Sequence, residues 1–175
     1  MLAFITMTVV IVGTILAVAS RKPDEFTLER RIKIDAVPEK IFPFLDDTRR
    51  AAEWSPWDKK DPAMKKTHSG AAKGVGSVYE WDGNREIGAG RLEIVEASFP
   101  TKVVMDMQFL RPMKARNISE YVVTPLPGGG CEVRWSIRGP SPMLSKVMCL
   151  FIDMDAMIGR EFEAGLSSLK TLAEK

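Results

Sequence analysis

The sequence predicts an α+β domain, a curved antiparallel sheet of about six strands around one long C-terminal helix, preceded by a single transmembrane helix. Three patterns carry this expectation. The chain opens on an uncharged apolar run, Leu2 to Ala19. Segments between residues 26 and 138 then alternate apolar and polar side chains, the period of half-buried strands. From Ser141 onward apolar side chains recur at spacings of three and four, the period of a helix with one buried face.

The opening run reads LAFITMTVVIVGTILAVA. At ~1.5 Å per residue it is about 27 Å long, close to the thickness of a bilayer's hydrocarbon core. Its β-branched residues do not oppose a helix there, because lipid offers the backbone no other hydrogen-bond partner. No basic residue precedes it, which favours a retained helix over a signal peptide, although Ala17-Val18-Ala19 has the small residues of a cleavage site. Arg21, Lys22, Arg30 and Arg31 follow the run, so the positive-inside rule puts the C-terminal domain in the cytoplasm, at the inner membrane if the source is bacterial. The chain then divides into an anchor over 1–20, a short connector over 21–25 and a folded domain over 26–175. At ~3.5 Å per residue the connector reaches no more than about 20 Å, which holds the domain against the bilayer surface.

Within the domain, Phe26 to Asp35 alternates as a strand. Pro38 then sits well at the first turn of a helix that continues through Ile41, Phe42 and Leu45. Arg49 to Glu53 reads as a further short turn, and Trp54-Ser55-Pro56-Trp57 as a loop that continues, polar, to Lys73. Five strands follow, over 76–82, 88–97, 102–110, 115–124 and 131–138. No long helical crossover joins them, so they are expected to pair antiparallel. Gly139-Pro140-Ser141-Pro142 announces the last helix, with Ser141 as N-cap and Pro142 at its first position. Its stripe is Leu144, Val147, Phe151, Met154, Ile158, Phe162 and Leu169. Gly165 lies on the same stripe, where a missing side chain admits a close neighbour.

Composition narrows the function classes. The 175 residues are 45% apolar and 27% charged, which suits one globular domain with a real core. A net charge of +2 without a Lys/Arg run interleaved with aromatics gives no case for nucleic acid. Cys131 and Cys149 lack metal-ligand spacing and read as free thiols, with a disulfide left open. His68 stands alone in its polar segment. No phosphate loop or nucleophile elbow occurs, and neither metal nor cofactor is expected. The oligomeric state is left open.

The order of elements resembles the helix-grip fold of the START-like superfamily, also called SRPBCC, and its polyketide cyclase/dehydrase and lipid-transport branch. The resemblance rests on several short segments taken in order. Asp35-Ala36-Val37-Pro38-Glu39-Lys40-Ile41-Phe42 is similar to that group's entry into its first helix, with Val37 at a position where alanine commonly precedes the proline. Trp54-Ser55-Pro56-Trp57, Tyr79-Glu80-Trp81-Asp82-Gly83-Asn84, Gly88-Ala89-Gly90 and Val133-Arg134-Trp135 follow. It covers about residues 26 to 170 and implies a hydrophobic cavity between sheet and helix. It implies no particular reaction, because the superfamily holds binders, transporters and enzymes.

Aromatic, methionine and polar residues are therefore the candidates for the cavity wall: Trp54, Trp57, Tyr79, Trp81, Met107, Phe109, Asn117, Ser119, Tyr121, Trp135, Phe151 and Asp155. Trp54 and Trp57 flank a proline. Their indoles either border a pocket mouth, pack a loop onto the sheet or sit at a membrane interface. Met105, Met107, Met148 and Met154 offer adaptable walls or core filler. Asn117 and Ser119 share a strand face with Tyr121. Asp155 lies beside the apolar helical stripe, where desolvation would raise its pKa and suit it to acid–base work; Glu80 and Glu86 are further candidates. No spacing fixes a catalytic pair, so no catalytic residue is named. The reading is a membrane-anchored binding or transfer domain for a hydrophobic small molecule or lipid. The alternatives are a cyclase- or dehydratase-type enzyme and a non-catalytic membrane interaction protein.

Overall fold

A computed structural model describes residues 1–175, apart from the side chains of Leu2, Ala3 and Ile5. Seven strands form one antiparallel sheet in the order β1-β7-β6-β5-β4-β3-β2: β1 (Glu25–Ile34), β2 (Lys65–Gly70), β3 (Ser77–Asp82), β4 (Ala89–Ser98), β5 (Lys102–Arg111), β6 (Ala115–Pro125) and β7 (Cys131–Pro140). From β2 to β7 each strand neighbours the next, and β1 closes beside β7 in an unbroken register from Glu25–Pro140 to Ile34–Cys131. Register shifts between β4 and β5, at Ala89/Gly90 and Ile94/Glu96, bend the sheet.

The sheet has one strand more than expected. Lys65–Gly70 has the sequence KKTHSG, almost wholly exposed, and it adds to the edge of the sheet beside β3. An edge strand with no buried face needs only backbone pairing, so it leaves no apolar alternation to read.

One face of the sheet carries Leu28, Ile32, Ile34, Val133, Trp135, Ile137, Tyr121 and Val123 into the core. Short helices cover part of it: α2 (Pro38–Ile41), a 3₁₀ turn over Phe42–Phe44, α3 (Ala51–Trp54) and α4 (Pro56–Lys60). Pro38 and Pro56 each stand at a helix N-terminus, where the missing N–H leaves no bond unmade. The segment over 54–58, expected as a loop, is thus helical on both sides of Ser55.

The closing helix is also corrected. It is not continuous from Ser141 to Leu172. It breaks into α5 (Met143–Met148) and α6 (Met154–Ala173), with turns between. Asp153 caps α6, its Oδ1 accepting the Ala156 N–H at 2.9 Å. Pro142, not Ser141, precedes α5 as its cap residue. The expected stripe splits with the helix: Phe162 and Leu169 are buried, whereas Leu144 and Phe151 are 61% and 71% exposed. Helix α6 lies chiefly against β1, with α3 and α4 against its other flank.

The N-terminal segment forms α1 (Leu2–Ala19), whose described apolar side chains are mostly exposed. Among the residues whose side chains are described, no helix is long and apolar enough to cross a membrane. Leu2, Ala3 and Ile5 of α1 lie outside that set. Cys131 is buried, Cys149 half-buried, and both are free thiols.

Candidate functional site

Sheet and helix meet flush at one end of their interface and part at the other. At the closed end, Phe162, Leu166, Leu169 and Ala173 of α6 are buried against the sheet. The Trp135 indole stacks on Phe162 with ring centroids 3.8 Å apart and planes 6° from parallel. Trp54 and Trp57 meet Trp135 edge-on at 5.5 and 5.6 Å, and Tyr121 tilts against it at 5.2 Å. Each such pair adds about 0.5–1.5 kcal/mol beyond the apolar area it buries. Gly165 makes the approach possible, since a Cβ there would stand 3.0 Å from the Trp135 ring and 3.2 Å from Pro56.

Two indole N–H groups of this cluster are satisfied locally. Trp54 Nε1 donates to the Phe44 carbonyl at 3.0 Å, and Trp135 Nε1 donates to Ser119 Oγ at 3.0 Å. Burial pushes the Tyr121 phenol well above its ordinary range, so it stays protonated. Of the expected wall residues, Trp54, Trp57, Ser119, Tyr121 and Trp135 therefore form a packed plug. The two tryptophans anchor α3 and α4 onto sheet and helix.

At the other end a cleft of about 690 Å³ opens between the inner faces of β1 and β6 and the α5–α6 break. Phe26, Leu28, Met154 and Ile158 give it apolar walls, with Phe151 at its mouth. This volume falls in the range of small-molecule sites, and the mostly apolar lining is typical of them. Asn117 is the buried one among the polar residues that line it, which include Lys22, Thr27, Lys114 and Ser145. It is 7% exposed, and its Oδ1 is buried without a hydrogen-bond partner. Leaving such an acceptor unmatched costs about 1–3 kcal/mol; the atom is covered by protein and lies against Gly139, where an added Cβ would stand 2.0 Å from it. Of the twelve expected residues, Asn117, Phe151 and Asp155 line this cleft.

Asp155 does not have the character expected of it. Its side chain is 67% exposed and pairs with Arg30 at 2.9 Å. The hydrogen-bonded guanidinium holds its carboxyl below the ordinary range, against a smaller opposing effect of burial. It is therefore an ionised partner and not a raised-pKa acid. Arg30 also pairs with Glu163 at 2.7 Å, and its guanidinium lies across Gly159, where any Cβ would collide with it. The cation thus clasps the open half of α6 to β1.

The remaining candidates gather elsewhere. His68, Tyr79, Trp81 and Phe109 form a row across β2 to β5, with successive centroids 5.0, 5.9 and 5.7 Å apart. His68 Nδ1 lies 3.2 Å from Thr48 Oγ1, and burial lowers its pKa. The Tyr79 hydroxyl is buried without a partner, and desolvation raises its pKa. Met107 is half-buried opposite Asn117 in the sheet register. Glu80 and Glu86 are exposed. Among the described residues, no group of three or more His, Cys, Asp or Glu converges to hold a metal ion.

Sequence reasoning did not single out Phe26, Leu28 or Ile158 as cavity walls. Strand and helix periodicity marks them as inward-facing, but cannot separate a cavity wall from a filled core. A usable signal for the opening was Asp153, a capping residue standing inside an apparently continuous apolar stripe.

Solved structures with this architecture include norcoclaurine synthase from Thalictrum flavum in complex with dopamine and hydroxybenzaldehyde. It has a TM-score of 0.63 and 12% identity, over 85% of this chain and 86% of that one. The Aha1 dimer from Colwellia psychrerythraea has a TM-score of 0.60 and 19% identity, over 85% and 96%. The di-domain ARO/CYC StfQ of the steffimycin biosynthetic pathway has a TM-score of 0.61 and 13% identity, over 86% of this chain and 51% of that longer one. At these identities the likeness is one of fold. No curated protein matches the chain. The model of the family described as polyketide cyclase / dehydrase and lipid transport matches residues 25–174, from the first residue of β1 to just beyond α6, and this chain belongs to that family.

Proposed function

We propose that the protein is a membrane-anchored binding or transfer domain that holds a hydrophobic small molecule or lipid in the cleft between β1, β6 and the α5–α6 break. The observation that carries the reading is the cleft of about 690 Å³ itself, with Phe26, Leu28, Met154 and Ile158 as apolar walls. That lining suits a ligand with an apolar body. Asn117 has no proton to exchange near neutral pH, which favours binding over acid–base chemistry. The norcoclaurine synthase complex, with its small aromatic ligands, supports the use of this fold to hold such molecules.

Helix α1 is the anchor in this reading. Its eighteen uncharged residues, rising ~1.5 Å each, match a bilayer core, and Arg21 and Lys22 beyond it favour a domain on the cytoplasmic side. The test is titration of the full chain in detergent micelles with a dansyl-labelled fatty acid, paired with native mass spectrometry. Saturable one-to-one binding is expected, and Ala115→Trp, which fills the cleft from β6, abolishes it. Absence of saturable binding by the unaltered protein sinks the reading.

A further inference from the structure

The rim of the cleft is apolar on its outer side as well as its inner one. Met143 and Leu144 on α5, Phe151 and Ile152 in the break, and Met157 on α6 are 44%, 61%, 71%, 44% and 46% exposed. Single exposed apolar residues are ordinary, but five within fifteen positions of chain beside a cavity mouth are not. The same rim carries Lys22 and Lys114, with Arg21 adjoining in the connector.

The connector is fastened to this rim. Lys146 Nζ pairs with the Asp24 carboxylate at 2.6 Å, and that hydrogen-bonded ammonium lowers the carboxylate's pKa. The Ser141 N–H donates to the Asp24 carbonyl at 2.7 Å. Lys22 Nζ donates to the Cys149 carbonyl at 2.9 Å, inside the break itself. Ala19, the last residue of α1, is fully buried, and α1 packs on α5. The apolar helix and the apolar rim are therefore parts of one continuous surface, and the fold sets their relative position.

We infer that α5 and the 149–153 break form a docking gate on a lipid bilayer. Met143, Leu144, Phe151 and Ile152 immerse in the leaflet that α1 enters, and Arg21, Lys22 and Lys114 meet anionic headgroups. Ligand then passes between leaflet and cleft through the break without crossing water. The inference rests on the membrane-anchored reading above, and it adds the face that docks and the route that ligand takes.

The full chain, carrying Cys149→Ser, is reconstituted into vesicles of phosphatidylethanolamine and phosphatidylglycerol at a ratio of about 3:1, a fluid anionic surface. Spin labels are placed at Leu144→Cys and, as a control on β4, at Val95→Cys, which is 46% exposed. The label at 144 is expected to be reached by oxygen and shielded from an aqueous nickel chelate, with the reverse at 95. A second arm uses Met143→Asp with Leu144→Asp, two positions that do not line the cleft. These slow transfer of the dansyl fatty acid from vesicles by about tenfold or more, because two carboxylates must enter the interface. Affinity in micelles stays unchanged. A water-exposed label at 144, or transfer at the unaltered rate, overturns the gate. Loss of saturable binding in micelles by the unaltered chain instead overturns the binding reading and leaves the label result to judge docking alone.

Discussion

The two halves of α6 rest on the same sheet and behave as different kinds of surface. The half from Phe162 to Ala173 is buried and stacked, with Trp135 wedged flat on Phe162 over a glycine. The half from Met154 to Ile158 stands off from β1 and β6, leaves a cleft, and is held by the charged clasp of Arg30, Asp155 and Glu163. A grip and a gap thus follow from where aromatic rings fill the interface and where an ion pair replaces them. Packing at the closed end supplies stability that the open end does not have to supply.

The sharpest way to break this contrast is to remove the wedge. Trp135→Ala should cost about 3–5 kcal/mol in urea unfolding, whereas Phe151→Ala at the open end should stay within about 0.5 kcal/mol. Equal costs at the two positions would erase the distinction. Next in size is the buried acceptor at the cleft wall. Asn117→Leu should leave stability level or raised in urea unfolding, since a buried unmatched acceptor is gone. A loss of more than about 1 kcal/mol would show that Oδ1 has a partner in solution.

The smallest effect is at the clasp. Asp155 has its pKa depressed below the ordinary 3.8 by Arg30. Its contribution is therefore fully present above that value and lost as pH falls through the lower folded one. Amide exchange over residues 154–160 should quicken on acidification below about pH 4, ahead of the buried 162–173 half. Arg30→Gln should produce the same quickening at neutral pH with little change in melting temperature, because exposed pairs contribute little to global stability.

Much of this arrangement was legible beforehand, for physical reasons. Alternation located six strands because each has one buried face. The tight packing at Gly165 could be read because a glycine on an apolar stripe marks close approach. Strand β2 could not, since a strand exposed on both faces carries no period. The break at 149–153 was hidden because Leu144, Val147, Phe151, Met154 and Ile158 keep helical spacing across it, and spacing does not report whether the backbone bonds continue. The cleft follows from that break, so its walls were less legible than the plug's. Asn117 was picked out correctly as inward-facing, whereas the acid–base role imagined for Asp155 ignored a cation contributed by β1, remote in sequence.

The crowding around Trp135 has a spectroscopic corollary. Two of the four indoles, at positions 54 and 57, each lie edge-on to a third, Trp135, while Trp81 lies apart between Tyr79 and Phe109. Coupled transitions centred on Trp135 should give a distinctive circular-dichroism couplet that vanishes when the short helices lift from the sheet, and the fourth indole should report separately on the far strands.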